Sequence, residues 1–349
     1  MSKPLQNLIR SLGADALQKL QFSDYLIIDG ALRDADADAL RKEIHTLRSD
    51  MSPNCTLVVP PSGSSPIHFP KEHIMEYDYY SKKIDQKSRQ RTTEDERDKV
   101  MSATAEAGEA SSRSPTLAKQ LREDSTLLDL LGGRFGIGRF PLDNQDLKLQ
   151  WNRGKGGCFP IHFDSDPSID SRRLTAILYL NPDWTEKDGG ALKLYPCTPS
   201  TPCASPIIVA PKNKRLVLFG SQTMAHRVLP SFGAARYCAT LWLSASDPAA
   251  KATLQQDVAK QRLAAKSYLS RCSQDPSSIP LIKEDILGIE EIRRHVIKFV
   301  YQEEWRQSLI ESHPEGPLRD ALLSRFDMEL SVIERVLSPV LSDIPMRST

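Results

Sequence analysis

No apolar run in this 349-residue sequence approaches the ~18 residues that a membrane-spanning helix requires, which excludes an integral membrane protein. An excess of one charge is also missing, because 46 lysines and arginines balance 45 acidic residues. A net charge this close to zero argues against bulk electrostatic binding to nucleic acid or anionic lipid. The N-terminal segment lacks the apolar core of a secretory signal, and the six cysteines are scattered. We therefore expect reduced thiols and a location in the cytoplasm, the nucleus or both.

Hydrophobic periodicity divides the chain into three regions. Residues 1–134 are predicted to be an N-terminal support region of helices and strand, with a charged, mobile insertion near 80–114. Residues 135–248 contain short β-type runs that alternate with turn residues. Residues 249–349 form a helical C-terminal region. Three helices are predicted there, at 249–272, 283–310 and 317–341.

The middle region predicts the fold class. It contains eight short apolar runs separated by polar turns, with no helical pattern between them. This succession is typical of an antiparallel sandwich or jelly roll, and the flanking helices make the class α+β. The runs are FGIGRF, LKLQW, CFPIHF, RLTAILYLN, GALKLYP, SPIIVAP, RLVLFG and RYCATLWLSA.

Local signals in the N-terminal region predict individual elements. FSDYLIID at 22–29 predicts a strand, and Asp34 is a candidate cap for the helix that follows it. Residues 51–66 are predicted to be a loop with one short strand, TLVVP. Ser114 is a candidate cap for a single helix that ends at the glycine pair 132–133.

The segment PIHFDSDP carries a candidate metal site. His162 and Asp164 are one residue apart on a predicted strand, so their side chains point to the same side. His226 follows another predicted strand and could supply a third ligand. Two histidines and one carboxylate are typical of a catalytic Fe(II) site with open positions, whereas a structural zinc site needs four ligands. Asp166 is the alternative carboxylate, but the shorter step from His162 favours Asp164.

The last predicted strand carries a charge that needs a partner. Arg236, Thr240 and Trp242 are evenly spaced and share one face of that strand. A guanidinium inside an apolar barrel is costly unless an anion pairs with it, and the strand has no acidic residue up to Ser246. A bound carboxylate ligand would satisfy the guanidinium. The alternative is an arginine that reaches a distant aspartate or the solvent.

Four segments in order, HFDSDP, LTAILYLNPDW, GGALKLYP and AHRVLP…RYCATLW, give the sequence a family resemblance. Over residues 135–246 it resembles the 2-oxoglutarate and Fe(II)-dependent dioxygenases, and within them the prolyl 4-hydroxylase branch with its intracellular hypoxia-type enzymes. The resemblance implies a double-stranded β-helix with iron at one mouth. Arg236 follows His226 by ten residues, one more than in the hypoxia-type enzymes.

The resemblance also assigns roles to individual residues. It implies that His162, Asp164 and His226 bind the iron. It implies that Arg236 binds the distal carboxylate of 2-oxoglutarate and that the Tyr179 hydroxyl helps to hold the same carboxylate.

Three further residues match positions of that family. Thr240 matches a residue that lines the cosubstrate pocket. Trp242 matches one that packs near the metal, and a tryptophan of the core is the alternative reading. Asn152 stands where the hypoxia-type enzymes place a cosubstrate-contacting tyrosine. It could hydrogen-bond the cosubstrate or hold the turn at Gly154.

The expected activity is hydroxylation of a prolyl residue in a protein or peptide, with succinate and CO2 as co-products. Fe(II), 2-oxoglutarate and O2 are the expected cofactor and cosubstrates, and ascorbate is a further candidate. The alternatives are hydroxylation of another amino-acid side chain or a small molecule, and a non-catalytic sensor that binds metal and ligand. The partner expected is a protein or peptide substrate, with neither a membrane nor nucleic acid. The oligomeric state is not predicted.

Overall fold

Two antiparallel sheets form the centre of the computed structural model, which describes residues 3–58, 65–79, 116–199, 203–275, 277, 285–341 and 344. One sheet has seven strands in the order β1-β9-β6-β11-β4-β3-β2, and the other has four in the order β5-β10-β7-β8. The strands are β1 (Tyr25–Ile28), β2 (Ser52–Val58), β3 (Ile67–Tyr79), β4 (Asn144–Asn152), β5 (Gly157–His162), β6 (Arg172–Tyr179), β7 (Leu192–Tyr195), β8 (Ile207–Val209), β9 (Leu216–Gly220), β10 (Ala225–Ser231) and β11 (Arg236–Ser244). The two sheets face each other as a double-stranded β-helix, and the predicted α+β class is confirmed.

Helices lie on both sides of this core. The α-helices are α1 (Leu8–Ser11), α2 (Ala14–Ser23), α3 (Asp34–Thr46), α4 (Leu117–Glu123), α5 (Thr126–Leu131), α6 (Pro248–Gln274), α7 (Glu290–Val300), α8 (Gln302–Ser312) and α9 (Pro317–Leu341). Helices α1 to α5 pack against the outer face of the larger sheet, and α7 to α9 pack beside the smaller one. The described helices include none that is long and apolar enough to cross a lipid bilayer.

Alternating side chains of the central strands serve two different layers. Leu174, Ala176 and Leu178 of β6 pack in the cluster that contains the N-terminal helices. The alternate residues Ile177 and Tyr179 pack between the two sheets. Because both faces are covered, these strands are mostly apolar, and the few polar side chains that point between the sheets require a specific reason.

Some predicted elements are wrong in detail. FGIGRF is a turn closed by an isolated bridge between Ile137 and Phe140, since Gly138 adopts a φ of +57°. Two strands are missing from the prediction: β3, and β10, which contains His226. The helix predicted from Ser114 begins at Leu117, with Thr116 as its cap.

Two segments that were each predicted to be one helix contain two helices in the structure. The Asp124 carboxylate accepts hydrogen bonds from the Thr126 and Leu5 amides, which separates α4 from α5. The helix predicted at 283–310 is divided at Tyr301 into α7 and α8. Asp34 is the first residue of α3, and Arg33 is its cap.

The three regions predicted from periodicity are joined through the sheet. Strands β1, β2 and β3 of the N-terminal region belong to the seven-stranded sheet, where β3 pairs with β4 and β1 pairs with β9. The charged stretch near 80–114 lies outside the described residues. The domain boundaries at 134 and 248 stay a prediction.

Asp24 provides a test of pH-dependent stability. It follows α2 at a φ of +61°, and its carboxyl group accepts a hydrogen bond from Thr223 beside Gly220. Burial raises the pKa of Asp24 to about 6, and the hydrogen bond from Thr223 only partly offsets this effect. A raised pKa means that this carboxyl stabilises the fold below pH ~4 and that its contribution is lost as the pH rises through about 6.

We therefore expect Asp24→Asn to raise the free energy of unfolding by about 1–3 kcal/mol at pH 8. Asparagine tolerates the left-handed conformation and keeps an acceptor for Thr223. At pH ~4 most of this gain should disappear, because the Asp24 carboxyl group is then protonated in the folded protein and is close to its ordinary pKa of 3.8 in the unfolded chain. Urea unfolding at both pH values measures the difference. Equal or lower stability of the variant at pH 8 would contradict the prediction.

Candidate active site

Strand pairing places the two candidate histidine ligands opposite each other. β5 and β10 are antiparallel neighbours, and His162 is the direct partner of His226 in their register. Their ring centroids are 4.3 Å apart. Asp164 follows His162 just beyond the end of β5, so one strand end supplies an imidazole and a carboxylate and the next supplies the second imidazole.

These three side chains converge on one point. Asp164 Oδ1 lies 3.4 Å from His162 Nε2 and 3.6 Å from His226 Nε2. One ligand atom from each residue lies within 4.8 Å of the other two. These are the donor types and the spacing of a two-histidine, one-carboxylate metal site with open positions.

Backbone carbonyls orient both imidazoles. His162 Nδ1 lies 2.9 Å from the Pro160 oxygen, and His226 Nδ1 lies 3.1 Å from the Met224 oxygen. Each Nδ1–H therefore donates to a carbonyl, and each Nε2 presents its lone pair to the site. Burial and the adjacent His162 lower the pKa of His226 to about 4, so this ligand is neutral at physiological pH.

Two side-chain donors, the buried Thr175 and the partly buried Trp242, hold the carboxylate. Thr175 Oγ1 donates to Asp164 Oδ2 at 2.7 Å, and Trp242 Nε1 donates to the same oxygen at 3.2 Å. Thr175 Oγ1 also lies 2.8 Å from Ser221 Oγ. Burial acts to raise the pKa of Asp164, but His226, His162 and the Thr175 hydroxyl outweigh it and hold this pKa well below its usual range. Asp164 is thus an oriented anion.

Asp166, the alternative carboxylate, points elsewhere. Its Oδ1 accepts hydrogen bonds from the Ser168 amide and hydroxyl, and its side chain is 44% exposed. It does not belong to the converging cluster. This placement favours Asp164 as the metal ligand.

The buried arginine lies as the spacing predicts and has no counter-charge. Arg236 is 4% exposed, and its Nε donates to the Gly190 carbonyl at 2.8 Å. In the described part of the chain no carboxylate lies within 4.0 Å of its guanidinium. That guanidinium lies 5.0 Å from the Tyr179 ring centroid, and the buried Tyr179 hydroxyl has no hydrogen-bond partner. Burial raises the pKa of Tyr179, so the hydroxyl remains a donor. We call Arg236, Tyr179 and Gly190 the carboxylate pocket.

Gly190 is required for this arrangement. It has a φ of +68°, and a Cβ there would lie 2.8 Å from the Arg236 Cδ. Only glycine combines that conformation with such a close approach. The GGALKLYP hairpin is therefore part of the carboxylate pocket.

Asn152 holds a turn, whereas Thr240 lines the cavity of the candidate metal ligands. Asn152 Oδ1 accepts from the Gly154 amide at 3.0 Å, and its Nδ2 donates to the Gly157 carbonyl at 2.8 Å. Both ends of the amide are thus bound to the turn, which favours the turn-holding hypothesis over cosubstrate contact. Thr240 lines the cavity that contains the three candidate ligands.

That cavity, the metal cavity, has a volume of about 370 Å³. Ile177, Leu192 and Thr240 form part of its wall, and Tyr179 and Arg236 lie further along the same faces of β6 and β11. The remaining wall residues are Asn54, Cys55, Thr56, Lys71, Lys148, Gln150, Phe159, Pro160, Ile161, Arg172, Val228, Trp242 and Leu309. Strands β2 and β3 and helix α8 thus contribute to a site whose candidate ligands lie on β5 and β10.

Thr175 and Ser221 are missed by the sequence analysis. A signal for Thr175 exists, because it lies four residues before Tyr179 on one strand and therefore shares its face. Nothing in the sequence indicates that Ser221 would lie beside it.

We expect Thr175→Val to weaken metal binding by about 10- to 100-fold, because valine keeps the shape and removes the donor to Asp164. Thr126→Val is the matched control, since Thr126 is buried and its hydroxyl has no partner. Calorimetric titration with Mn²⁺ measures the metal affinity of both variants. Unchanged affinity in Thr175→Val, or an equal loss in the control, would show that the hydroxyl has no positioning role.

Comparison with known proteins identifies the domain. Residues 149–244 match the family model of the 2OG-Fe(II) oxygenase superfamily. The hypoxia-inducible factor prolyl hydroxylase of Caenorhabditis elegans is 34% identical over 130 residues, which are 37% of this chain and 16% of that protein. Egl nine homolog 1 of Homo sapiens is 36% identical over 104 residues, which are 29% of this chain and 23% of that protein. The chain thus spans less than a third of these curated relatives.

Solved structures extend the similarity beyond the domain. A prolyl 4-hydroxylase structure from Phytophthora capsici covers 98% of this chain and 93% of its own, with 25% identity and a TM-score of 0.58. A Trichoplax adhaerens prolyl hydroxylase, solved with a hypoxia-inducible factor peptide fragment, covers 71% of this chain and 94% of its own. At 20% identity and a TM-score of 0.50, this structure supports a shared fold and nothing further.

The chain therefore carries a 2OG-Fe(II) oxygenase domain, and its similarities lie in the prolyl hydroxylase branch of that superfamily. The family implies Fe(II), 2-oxoglutarate and O2 as cofactor and cosubstrates. The residues present fit these groups. Three oriented donors converge at one place, and a buried guanidinium and an orphaned phenol, both without an anion, lie further along the same faces.

Proposed function

We propose that this protein is a 2-oxoglutarate- and Fe(II)-dependent dioxygenase that hydroxylates a prolyl residue in a protein or peptide. Succinate and CO2 are the co-products. The observation that carries the proposal is the alignment, between one pair of sheets, of the His162–Asp164–His226 cluster with an uncompensated Arg236. The prolyl specificity is supported by the relatives at 34–36% identity and by the structure that covers 98% of the chain.

Each part of the site has a defined task. His162, Asp164 and His226 would hold Fe(II), and Arg236 with Tyr179 would bind the distal carboxylate of 2-oxoglutarate. Bound Fe(II) supplies the redox chemistry that couples decarboxylation of 2-oxoglutarate by O2 to hydroxylation of the substrate. Ile177 and Leu192 give part of the cavity wall an apolar surface, and Thr175 and Trp242 keep the Asp164 carboxylate in place.

The test is incubation with Fe(II), 2-oxoglutarate and a library of proline-containing peptides under air. We expect succinate together with peptides that gain the mass of one oxygen atom, and collision-induced fragmentation should place that atom on proline. Oxygen on another side chain would instead support the broader hydroxylase reading. Succinate without any modified peptide would favour a small-molecule substrate. Absence of succinate under all conditions would support the non-catalytic sensor.

A lysine in the metal cavity indicates which peptides the library should contain. Lys71 is 9% exposed, and its Nζ donates to Asn54 Oδ1 at 2.5 Å. Burial lowers the pKa of Lys71 to about 8, which leaves most of it charged at neutral pH. The described carboxylates include none within 4.0 Å of this ammonium. We therefore propose that the substrate carries an acidic residue near its proline.

The library should pair acidic-flanked peptides with neutral-flanked ones of the same sequence. Lys71→Met should raise the KM for the acidic peptides and leave that for the neutral peptides unchanged. Equal effects on both would assign Lys71 to packing alone.

A reducing compartment, the cytoplasm, the nucleus or both, suits this chemistry and is part of the proposal. It is supported by the five described cysteines, none of which forms a disulfide; the sulfurs of Cys197 and Cys203 lie 3.6 Å apart. Microscopy of the tagged protein tests the location. Ascorbate is proposed as the reductant that maintains ferrous iron, and an ascorbate requirement for sustained succinate release tests it.

A further inference from the structure

A second cavity, the helix cavity, lies between the loop that follows Asp164 and helices α6, α7 and α9. Its volume is about 390 Å³, which is within the range of small-molecule sites. Most charged side chains of its wall are paired. The pairs are Arg262 with Glu291 at 2.9 Å, Lys298 with Glu329 at 2.7 Å, and Arg294 with the Ser165 carbonyl at 3.2 Å and the more distant Asp166.

Three groups of this wall lack such partners. Arg173 donates to Gln222 Oε1 at 2.6 Å, but among the described residues it has no carboxylate within 4.0 Å. Gln222 is 1% exposed, and its Nε2 has no hydrogen-bond partner. The buried Oε1 of Glu290 has none either, and no described cation lies within 4.0 Å of this carboxylate. The helix cavity therefore contains an unpaired cation with an amide donor, and separately an unpaired anion.

Arg173 and Glu290 are both partly buried, and leaving opposite charges partly buried and apart is costly, because each loses some of its water without gaining a counter-charge. A molecule with one carboxylate and one ammonium group would satisfy both at once. Its carboxylate would accept from Arg173 and Gln222 Nε2, and its ammonium would donate to Glu290. A simple anion would leave Glu290 unpaired beside it, and a simple cation would leave Arg173 unpaired.

We propose that the helix cavity binds a small zwitterion of the amino-acid class between Arg173 and Glu290. This site is distinct from the metal cavity and does not depend on the proposed hydroxylase activity. The two are connected through the backbone, because the Ser221 amide donates to the Arg173 carbonyl and the Ser165 amide donates to the Ser221 carbonyl. Binding at Arg173 and Gln222 thus contacts the segments that hold Asp164.

The probes are glycine, 4-aminobutanoate and 6-aminohexanoate, which vary the distance between the two charges. Butanoate and butylamine are the single-charge controls. Binding is measured by calorimetry on the full chain at pH 7.5, and repeated in Arg236→Gln to remove competition from the carboxylate pocket. We expect at least one zwitterion to bind saturably, and about tenfold or more tighter than either control.

Variants of the two charged residues give two independent tests. Arg173→Gln and Glu290→Gln should each weaken the best zwitterion about tenfold or more. Glu291→Gln is the matched control, because that carboxylate lines the same cavity but is paired with Arg262. The Glu291→Gln variant should bind the best zwitterion with unchanged affinity. No saturable binding of any zwitterion would mean that the cavity holds water only, and butanoate binding as tightly as the zwitterions would also overturn the proposal.

Discussion

Replacing Asp164 by asparagine should weaken metal binding by about 100-fold or more, although the two side chains have the same shape. The reason lies in the two donors behind the carboxylate. Thr175 Oγ1 and Trp242 Nε1 both donate to Oδ2, so in the variant they select the amide oxygen for that position. The amide NH2 group is then turned toward His162 and His226, where a metal ligand must present a lone pair. The variant thus loses a negative charge and also presents hydrogens to the metal.

We expect a loss of Mn²⁺ affinity of about 100-fold or more in Asp164→Asn, with Fe(II)-dependent succinate formation at background. Asp166→Asn is the matched control, because this carboxylate lies two residues away and caps Ser168 at the surface. It should keep both metal affinity and activity. If the two variants exchanged behaviour, the carboxylate ligand would be Asp166 and not Asp164.

Replacing Arg236 by glutamine should separate binding of the cosubstrate from binding of the metal. Losing one partner of a buried charge pair costs ~3–5 kcal/mol, which corresponds to an increase of about 100-fold or more in the KM for 2-oxoglutarate. Mn²⁺ affinity should be unchanged, because Arg236 is not among the three converging ligands. Tyr179→Phe removes one hydrogen bond and should raise the same KM by about tenfold.

In the absence of 2-oxoglutarate, the Arg236→Gln substitution should stabilise the protein. Arg236 is buried without a counter-charge, so its removal should raise the melting temperature of the free protein while it weakens 2-oxoglutarate binding. Arg215→Gln is the matched control, because that arginine is paired with Asp29 and lies outside the metal cavity. It should leave the KM unchanged. A lower melting temperature with an unchanged KM in Arg236→Gln would show that the arginine is structural.

The residues that the sequence analysis identified share a simple property. His162 with Asp164, and Arg236 with Thr240 and Trp242, are close in the chain and belong to one strand or its end. Alternation along a strand fixes which side chains share a face. An arginine in an apolar strand without acidic residues needs an anion from elsewhere, because a buried unpaired charge is costly. These features depend on local geometry and are therefore readable from the sequence.

The wrong predictions have two kinds of cause. FGIGRF has the composition of a strand, but its glycines allow a turn. The sequence of β10 contains polar residues and gives a weak strand signal, and the strand forms because it pairs with β5 and β7. Helices α4 and α5 share one apolar face, yet Asp124 separates them by bonding to the distant Leu5 amide. For β10 and for the α4–α5 break, a contact remote in sequence overrode the local preference, whereas the FGIGRF turn follows from its own glycines.

By itself the sequence determined the α+β class, the carboxylate and histidine that leave β5 on one side, and the buried charge on β11. Only the tertiary structure decided that His226 pairs with His162, that Thr175 and Ser221 support Asp164, and that β2, β3 and α8 complete the metal cavity. It also decided that Arg173 and Glu290 share a second cavity without pairing. The physical reason is that strand register and helix docking follow from the packing of the whole core, whereas a strand's own alternation needs only its neighbours in the chain.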